Sequence, residues 1–424
     1  MAMSEWEWTP GTDQEHIDRI TRFHLDSLAV PVEQRLRPSD PGRHDFPIGL
    51  DENGRKFPVP APPLTWADRV LGCVLAGAIG DALGAPIEFL PIDMIRRQHG
   101  EQGVTGFGPG GPDGAITDDT QMTLFTLEGL VRAHVRDRVS TSGDPVPIVQ
   151  HALQRWLHTQ GFDWAQAGGP FAEGRSQPDG WLITERALFA RRSPGNTCVT
   201  ALRVFAAGNP AGSMGNPLND SKGCGGVMRA APVALWSSDP EVVFALGAAT
   251  AALTHGHPSG YLSAASLAFL VHGLLRGTSL PDCIAALTPV LTRWPGHEEQ
   301  LARLTTAVRL ADEGPVSAER MSDELGGGWV GEEALAIAVY AMLVTDELPA
   351  ALRISVNHSG DSDSTGSVCG NLAGAWHGVA AIPADWLERL ELRAAITALT
   401  GDALAEFGPN PPTDDAWLQR YPGW

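Results

Sequence analysis

Alanine and leucine recur at helical spacing through most of this chain, and the pattern predicts helices over residues 66–83, 118–136, 240–254, 259–276, 299–312, 331–344 and 365–379. Glycine- and proline-containing loops separate them, and no run of alternating β-branched residues marks a strand. The expected class is all-α. Thr65 is suited to cap the first of these helices, with Asp68 three residues on. Residues 1–64 read as an extension ahead of a main domain over 65–424. Within the extension, Thr12-Asp13-Gln14-Glu15 has the form of a capping box, and Ile17, Ile20, His24 and Leu28 follow on one helical face. Residues 57–63 hold too much proline for a helix and read as an extended connector. No internal repeat of fixed period is present.

A chain of 424 residues with 19% charged residues can bury a large core. A net charge of −20 disfavours nucleic acid and anionic membranes as partners, because the whole-protein field repels both. No apolar run reads as long enough to span a bilayer, and the start Met1-Ala2-Met3-Ser4-Glu5 lacks the pattern of a signal peptide, so a cytoplasmic location is expected. Cys73, Cys198, Cys224, Cys283 and Cys369 lack CxxC spacing and read as buried thiols. The chain has two lysines, Lys56 and Lys222, beside many arginines, as in GC-rich bacterial coding.

Against this ordinary background two acidic clusters stand out, Thr117-Asp118-Asp119-Thr120 and Gly360-Asp361-Ser362-Asp363-Ser364. Adjacent carboxylates repel, and burying them as anions requires a cation or a dense shell of hydrogen bonds. An all-oxygen donor set suits Mg²⁺ or Mn²⁺ and argues against zinc. Asp361 and Asp363, one residue apart, can face a common point in a tight turn, with Ser364 adding a neutral oxygen. A simpler reading of Asp118 and Asp119 is that they cap a helix beginning near Thr120.

The residues from Leu71-Gly72 through Gly80-Asp81-Ala82-Leu83-Gly84-Ala85-Pro86-Ile87-Glu88-Phe89 resemble the opening signature of the ADP-ribosylglycohydrolases. Further similarities follow in the same order: Arg192-Ser193-Pro194-Gly195-Asn196-Thr197, Gly223-Cys224-Gly225-Gly226-Val227-Met228-Arg229, Thr254-His255-Gly256-His257-Pro258, Gly328-Trp329-Val330-Gly331-Glu332-Glu333, and the second acidic cluster. The resemblance spans about residues 66–385.

It implies a compact orthogonal multi-helix bundle. It also implies two divalent ions, Mg²⁺ or Mn²⁺, on Thr117, Asp118, Asp119, Asp361, Asp363 and Ser364. Asp119 is the candidate for proton handling, assisted by Asp118, and Glu88 falls on the position of a glutamate lining the catalytic cleft. Gly223, Cys224, Gly225 and Gly226 correspond to a phosphate-contacting loop, where backbone N–H groups approach oxygens because side chains are absent. The family often carries Asn where this chain has Cys224.

His255 reads either as a ligand contact or as a capping or packing residue, and Trp329 either stacks on adenine or anchors its loop. Met228 reads as core, and Arg229 as internally paired with a carboxylate. The implied reaction is removal of ADP-ribose from a modified protein, with arginine as the expected acceptor. Serine, nucleobase and small-molecule linkages are the alternatives. Two other classes stay open: a binding-only relative that has lost catalysis, and an immunity protein whose extension, through Trp6, Trp8 and its prolines, engages an ADP-ribosylating toxin.

Overall fold

The computed structural model describes residues 48–50, 56–58, 64–108, 111–140 and 144–423. Each helix expected between residues 66 and 379 has a counterpart. They are α1 (Trp66–Gly84), α2 (Asp118–Ser140), α3 (Pro240–Ala252), α4 (Pro258–Leu275), α5 (Glu298–Asp312), α6 (Gly331–Leu343) and α7 (Ser362–His377). Further helices, among them Pro145–Thr159, Asn196–Ala206, Leu280–Leu291 and Arg393–Glu406, complete the bundle. Among the described residues the one sheet is an antiparallel pair in the extension, Ile48–Leu50 with Lys56–Pro58. The helix expected near residues 12–28 lies outside the described residues.

Thr65 opens α1 as its composition demands: the Asp68 N–H donates to Thr65 Oγ1 at 3.1 Å and the Thr65 N–H to Asp68 Oδ2 at 2.9 Å. From Arg69 to Gly84 almost every side chain of α1 is buried. Arg69, itself 5% exposed, donates to the carbonyls of Leu274, Ala375 and Trp376, so one guanidinium satisfies the orphan C-terminal ends of both α4 and α7.

Two helices, Trp66–Ile87 with its 3₁₀ extension and Pro258–Leu275, are long and apolar enough to cross a bilayer, contrary to expectation. Their apolar windows are 83% and 94% buried inside the protein, so their hydrophobicity is spent on the central core.

The centre of the molecule is the contact between α1 and α7. Gly72 faces Gly374, Gly80 faces Gly366, Gly84 faces Ser362 and Gly370 faces Ala76, with almost no space between the two backbones. A Cβ on Gly80 would lie 1.9 Å from the Gly366 oxygen, and one on Gly370 would lie 2.0 Å from the Ala76 oxygen. Asn371 pins the seam by donating to the Cys73 carbonyl at 2.9 Å. This approach brings Asp81, near the end of α1, to the level of Asp361 and Asp363 at the start of α7.

Candidate functional site

Both acidic clusters begin helices. Asp118 and Asp119 occupy the first turn of α2, and Asp361 is the N-cap of α7, accepting from the Ser364 N–H at 3.2 Å. The positive ends of two helix dipoles therefore converge on one acidic pocket. Asp81 holds the first of them in place. Its carboxylate accepts from the Thr117 N–H (3.0 and 3.1 Å), Thr117 Oγ1 (2.8 Å), the Thr120 N–H (3.1 Å) and Thr120 Oγ1 (2.5 Å). The Thr117 hydroxyl donates to Asp81 and accepts from the Asp119 N–H at 3.3 Å, which fixes the turn that carries the first acidic cluster.

Asp81 is absent from the site expected on sequence, although one signal was there: a lone carboxylate in an apolar helical run must be buried and paired. Arg192 and Gly195 brace the same turn. Arg192 pairs with Glu391 and donates to the Ile116 carbonyl at 2.8 Å, while the Gly195 N–H donates to Asp118 Oδ2 at 3.2 Å.

Glu88 follows α1 after a short 3₁₀ turn, and a carboxylate oxygen of Glu88, one of Asp361 and one of Asp363 lie within 4.8 Å of one another. Ser364 donates its N–H to Asp363 Oδ1 at 3.0 Å as well as to Asp361. Asp118, Asp119, Asp361 and Asp363 are each less than 5% exposed. Burial, followed by repulsion from Asp81 and Asp118, raises the Asp119 carboxyl well above the usual range, and Asp118 and Asp363 are raised in the same way. Glu88 is pushed up to about 8, first by burial and then by Asp361 and Asp81. Asp119 Oδ1 is buried with no hydrogen-bond partner among the described residues. Clustered carboxylates and a buried oxygen without a donor form a donor set that fits a hard cation.

The glycine-rich loop forms one wall. Residues Cys224–Gly226 make a 3₁₀ turn, anchored where the Cys224 N–H donates to the Trp329 carbonyl at 3.2 Å and where Gly223 bridges to Val330. Its glycines are required by what lies beneath them, since a Cβ on Gly225 would sit 2.7 Å from Cys198 Sγ and 2.9 Å from His255 Cε1. His255 is thus the floor of the loop and not a lining residue. It is 1% exposed, hydrogen-bonded to Thr254 Oγ1 at 2.9 Å, and its pKa falls to about 3 through burial and the nearby Arg229. His257 caps α4. Met228 is core, as expected. Arg229 is internal, but its partners are the Gly225 and Thr250 carbonyls and Thr254 Oγ1, and no carboxylate pairs with it among the described residues.

Trp329 anchors the loop through its backbone, while its ring, 42% exposed, stacks on Phe89 with centroids 5.2 Å apart. Phe89 takes a left-handed φ of 68°, uncommon for a bulky residue, and its N–H reaches the Gly360 carbonyl at 3.4 Å, tying the Glu88 turn to the loop before Asp361.

This electrostatic arrangement predicts opposed pH effects on the stability of the metal-free protein. Glu88 and Asp81, at about 8 and about 6 when folded, retain protons that the unfolded chain releases near pH 4, so their contribution is lost as pH rises through those values. His255 and His272 at about 3, and His358 at about 4, refuse protons that the unfolded chain accepts below about 6.5, so their contribution is lost as pH falls. Melting temperature in EDTA should therefore decline from pH 6.5 to 8.5 and also below pH 5. A divalent ion should abolish the alkaline decline only, and thermal melts across pH with and without Mg²⁺ check both signs.

The sequence profile of the ADP-ribosylglycohydrolase family matches residues 62–412. The chain is 28% identical over 338 residues to an ADP-ribosyl-[dinitrogen reductase] glycohydrolase of Rhodospirillum rubrum, covering 77% of this chain and 91% of that protein. It is 25% identical over 371 residues to the ADP-ribosylarginine hydrolase Tri1 of Serratia proteamaculans, covering 85% and 87%. A solved structure described as an ADP-ribosylglycohydrolase-related protein complex superposes with a TM-score of 0.56 at 28% identity, covering 81% of this chain and 98% of that one.

Proposed function

The chain belongs to the ADP-ribosylglycohydrolase family, a family of hydrolases, and we propose that it removes ADP-ribose from modified arginine side chains of cytoplasmic proteins with the help of two divalent ions. The observation that carries this reading is the convergence of Glu88, Asp361 and Asp363 with the unsatisfied Asp119 oxygen beside a glycine-rich loop. Mg²⁺ or Mn²⁺ held by Thr117, Asp118, Asp119, Asp361, Asp363 and Ser364 would supply the positive charge that orients the ribose hydroxyls and acidifies a water.

The chain's own groups account for the rest. In the loop at 223–226 the Gly223 N–H donates to Ser221 Oγ and the Cys224 N–H to the Trp329 carbonyl, so the N–H groups of Gly225 and Gly226 are the ones offered to the diphosphate. Asp119 Oδ1 receives the proton of the attacking water, and Asp118, fixed by the Gly195 N–H, holds its position beside it. Carboxylates on both sides of the cleft, Glu88 among them, stabilise the positive charge that develops on ribose as the glycosidic bond breaks. Arginine is favoured as acceptor because the Serratia relative is named for ADP-ribosylarginine and aligns over most of both chains.

The test is release of ADP-ribose from an arginine-ADP-ribosylated protein in Mg²⁺, Mn²⁺ or EDTA, beside a serine-modified substrate. Metal-dependent release from arginine alone is the expected result. Release from serine alone would overturn the acceptor assignment, and release unaffected by EDTA would overturn the metal's role.

A further inference from the structure

The thiol of Cys224 is unlike the other hydrogen-bonded thiols of the chain. Cys198 and Cys283 make long contacts to backbone carbonyls, at 3.8 and 3.7 Å, whereas Cys224 Sγ lies only 2.9 Å from Asp361 Oδ2. Its backbone is fixed on both sides, by the Trp329 carbonyl and by the 3₁₀ turn that follows, so the sulfur is held over the acidic pocket by the loop itself. In the same acidic site Asp119 Oδ1 is a buried oxygen with no hydrogen-bond partner among the described residues. The site thus presents a soft donor against Asp361, whose carboxylate lies within 4.8 Å of those of Glu88 and Asp363, and an unsatisfied hard donor on Asp119.

Resting on the metal-dependent reading above, we propose that Cys224 Sγ is a direct metal ligand, which makes this centre a mixed oxygen–sulfur site selective for thiophilic divalent ions over Mg²⁺. On coordination the sulfur gives a lone pair to the cation and its proton passes to solvent, so binding of such an ion releases a proton that Mg²⁺ binding does not. Softness then decides the ranking. A thiolate adds affinity for Co²⁺, Zn²⁺ and Cd²⁺ and little for Mg²⁺, whereas the Asn common at this position in the family offers only a neutral amide.

Metal-free full-length protein and its Cys224→Ser and Cys224→Asn variants would be titrated with Co²⁺ and with Cd²⁺, reading the sulfur-to-metal charge-transfer absorption, and with Mn²⁺, reading the loss of the free-ion electron paramagnetic resonance signal. The expected result is a charge-transfer band in the wild type that is missing from both variants. Cd²⁺ affinity should fall about 10-fold or more in Cys224→Ser while Mg²⁺ affinity, from competition with Mn²⁺, stays level or rises. Serine is close to isosteric, and equal melting temperatures of the metal-free proteins would show that the fold is intact.

Mn²⁺ binding to the wild type without any charge-transfer band would overturn the sulfur ligand and leave the metal centre standing. Failure of every ion to bind would instead overturn the metal-dependent reading, and with it this one. A uniform loss of affinity for hard and soft ions in Cys224→Ser would reduce Cys224 to a hydrogen-bond donor to Asp361.

Discussion

Asp119→Asn is expected to lower hydrolysis by about 10²- to 10⁴-fold while raising the stability of the metal-free protein. On the proposed mechanism the activity loss follows from removing the carboxylate oxygen that would take the proton of water, a contribution of that size for general bases, and any lost metal affinity would add to it. The gain in stability follows from the same surroundings. Burial, with Asp81, Asp118 and Asp361 crowding the group, opposes the charged form of Asp119 in the folded protein, while the unfolded chain carries that charge freely, and the amide removes the cost. The gain should be present at pH 8 and should shrink towards pH 4, where the unfolded aspartate also holds its proton. Denaturant melts at the two pH values, run beside ADP-ribose release assays, check both halves. Undiminished hydrolysis would remove Asp119 from the mechanism.

Gly80→Ala is expected to be the more destructive change although it touches no candidate ligand. The new methyl would lie 1.9 Å from the Gly366 oxygen and 2.3 Å from its carbonyl carbon, both backbone atoms of a buried helix, so α1 and α7 would have to separate. Overpacking usually costs about 1–3 kcal/mol, and a clash between two backbones belongs at or above the top of that range. Any variant that still folds should be nearly inactive, because parting the helices moves Asp81 away from the level of Asp361 and Asp363. Gly401→Ala supplies the contrast within the same chain. It lies on an exposed face of the Arg393–Glu406 helix with nothing within 4 Å of the added methyl, and should stabilise by about 0.5–1 kcal/mol. Thermal melts of the two variants should move in opposite directions. Equal, small shifts would show that the seam yields more easily than its geometry indicates.

The helices that enclose the site were legible in the sequence because their alanine–leucine periodicity is strong and the first of them carries a chemical marker at its start, Thr65 with Asp68. The two acidic clusters were legible for a different reason, since so many carboxylates in apolar surroundings need an explanation. What pattern alone could not supply was the partner of each group. Asp81 looks like one polar residue in a core helix until the fold places Thr117 and Thr120 around it. Gly72, Gly80 and Gly84 look like weak points in α1 until Gly374, Gly366 and Ser362 arrive opposite them. The segment from residue 160 to 240 was hardest to read, because it is built of short turns such as Leu182–Thr184 and Arg186–Leu188, whose positions depend on what they rest against. His255 shows the limit most plainly. Its place beneath the glycine loop is a fact of packing that its sequence neighbours do not encode.

The seam between α1 and α7 also dictates when the site can come into being. Asn371 and Cys73, which touch across it, are 298 positions apart, and closing so long a loop is slow and yields nothing until both helices are present. During synthesis Asp81 and the first acidic cluster emerge early and must wait, unneutralised, for the second cluster to leave the ribosome. On the proposed reading a cation would be offered its full ligand set only after the seam has closed, so closure of the core comes first and metal loading second.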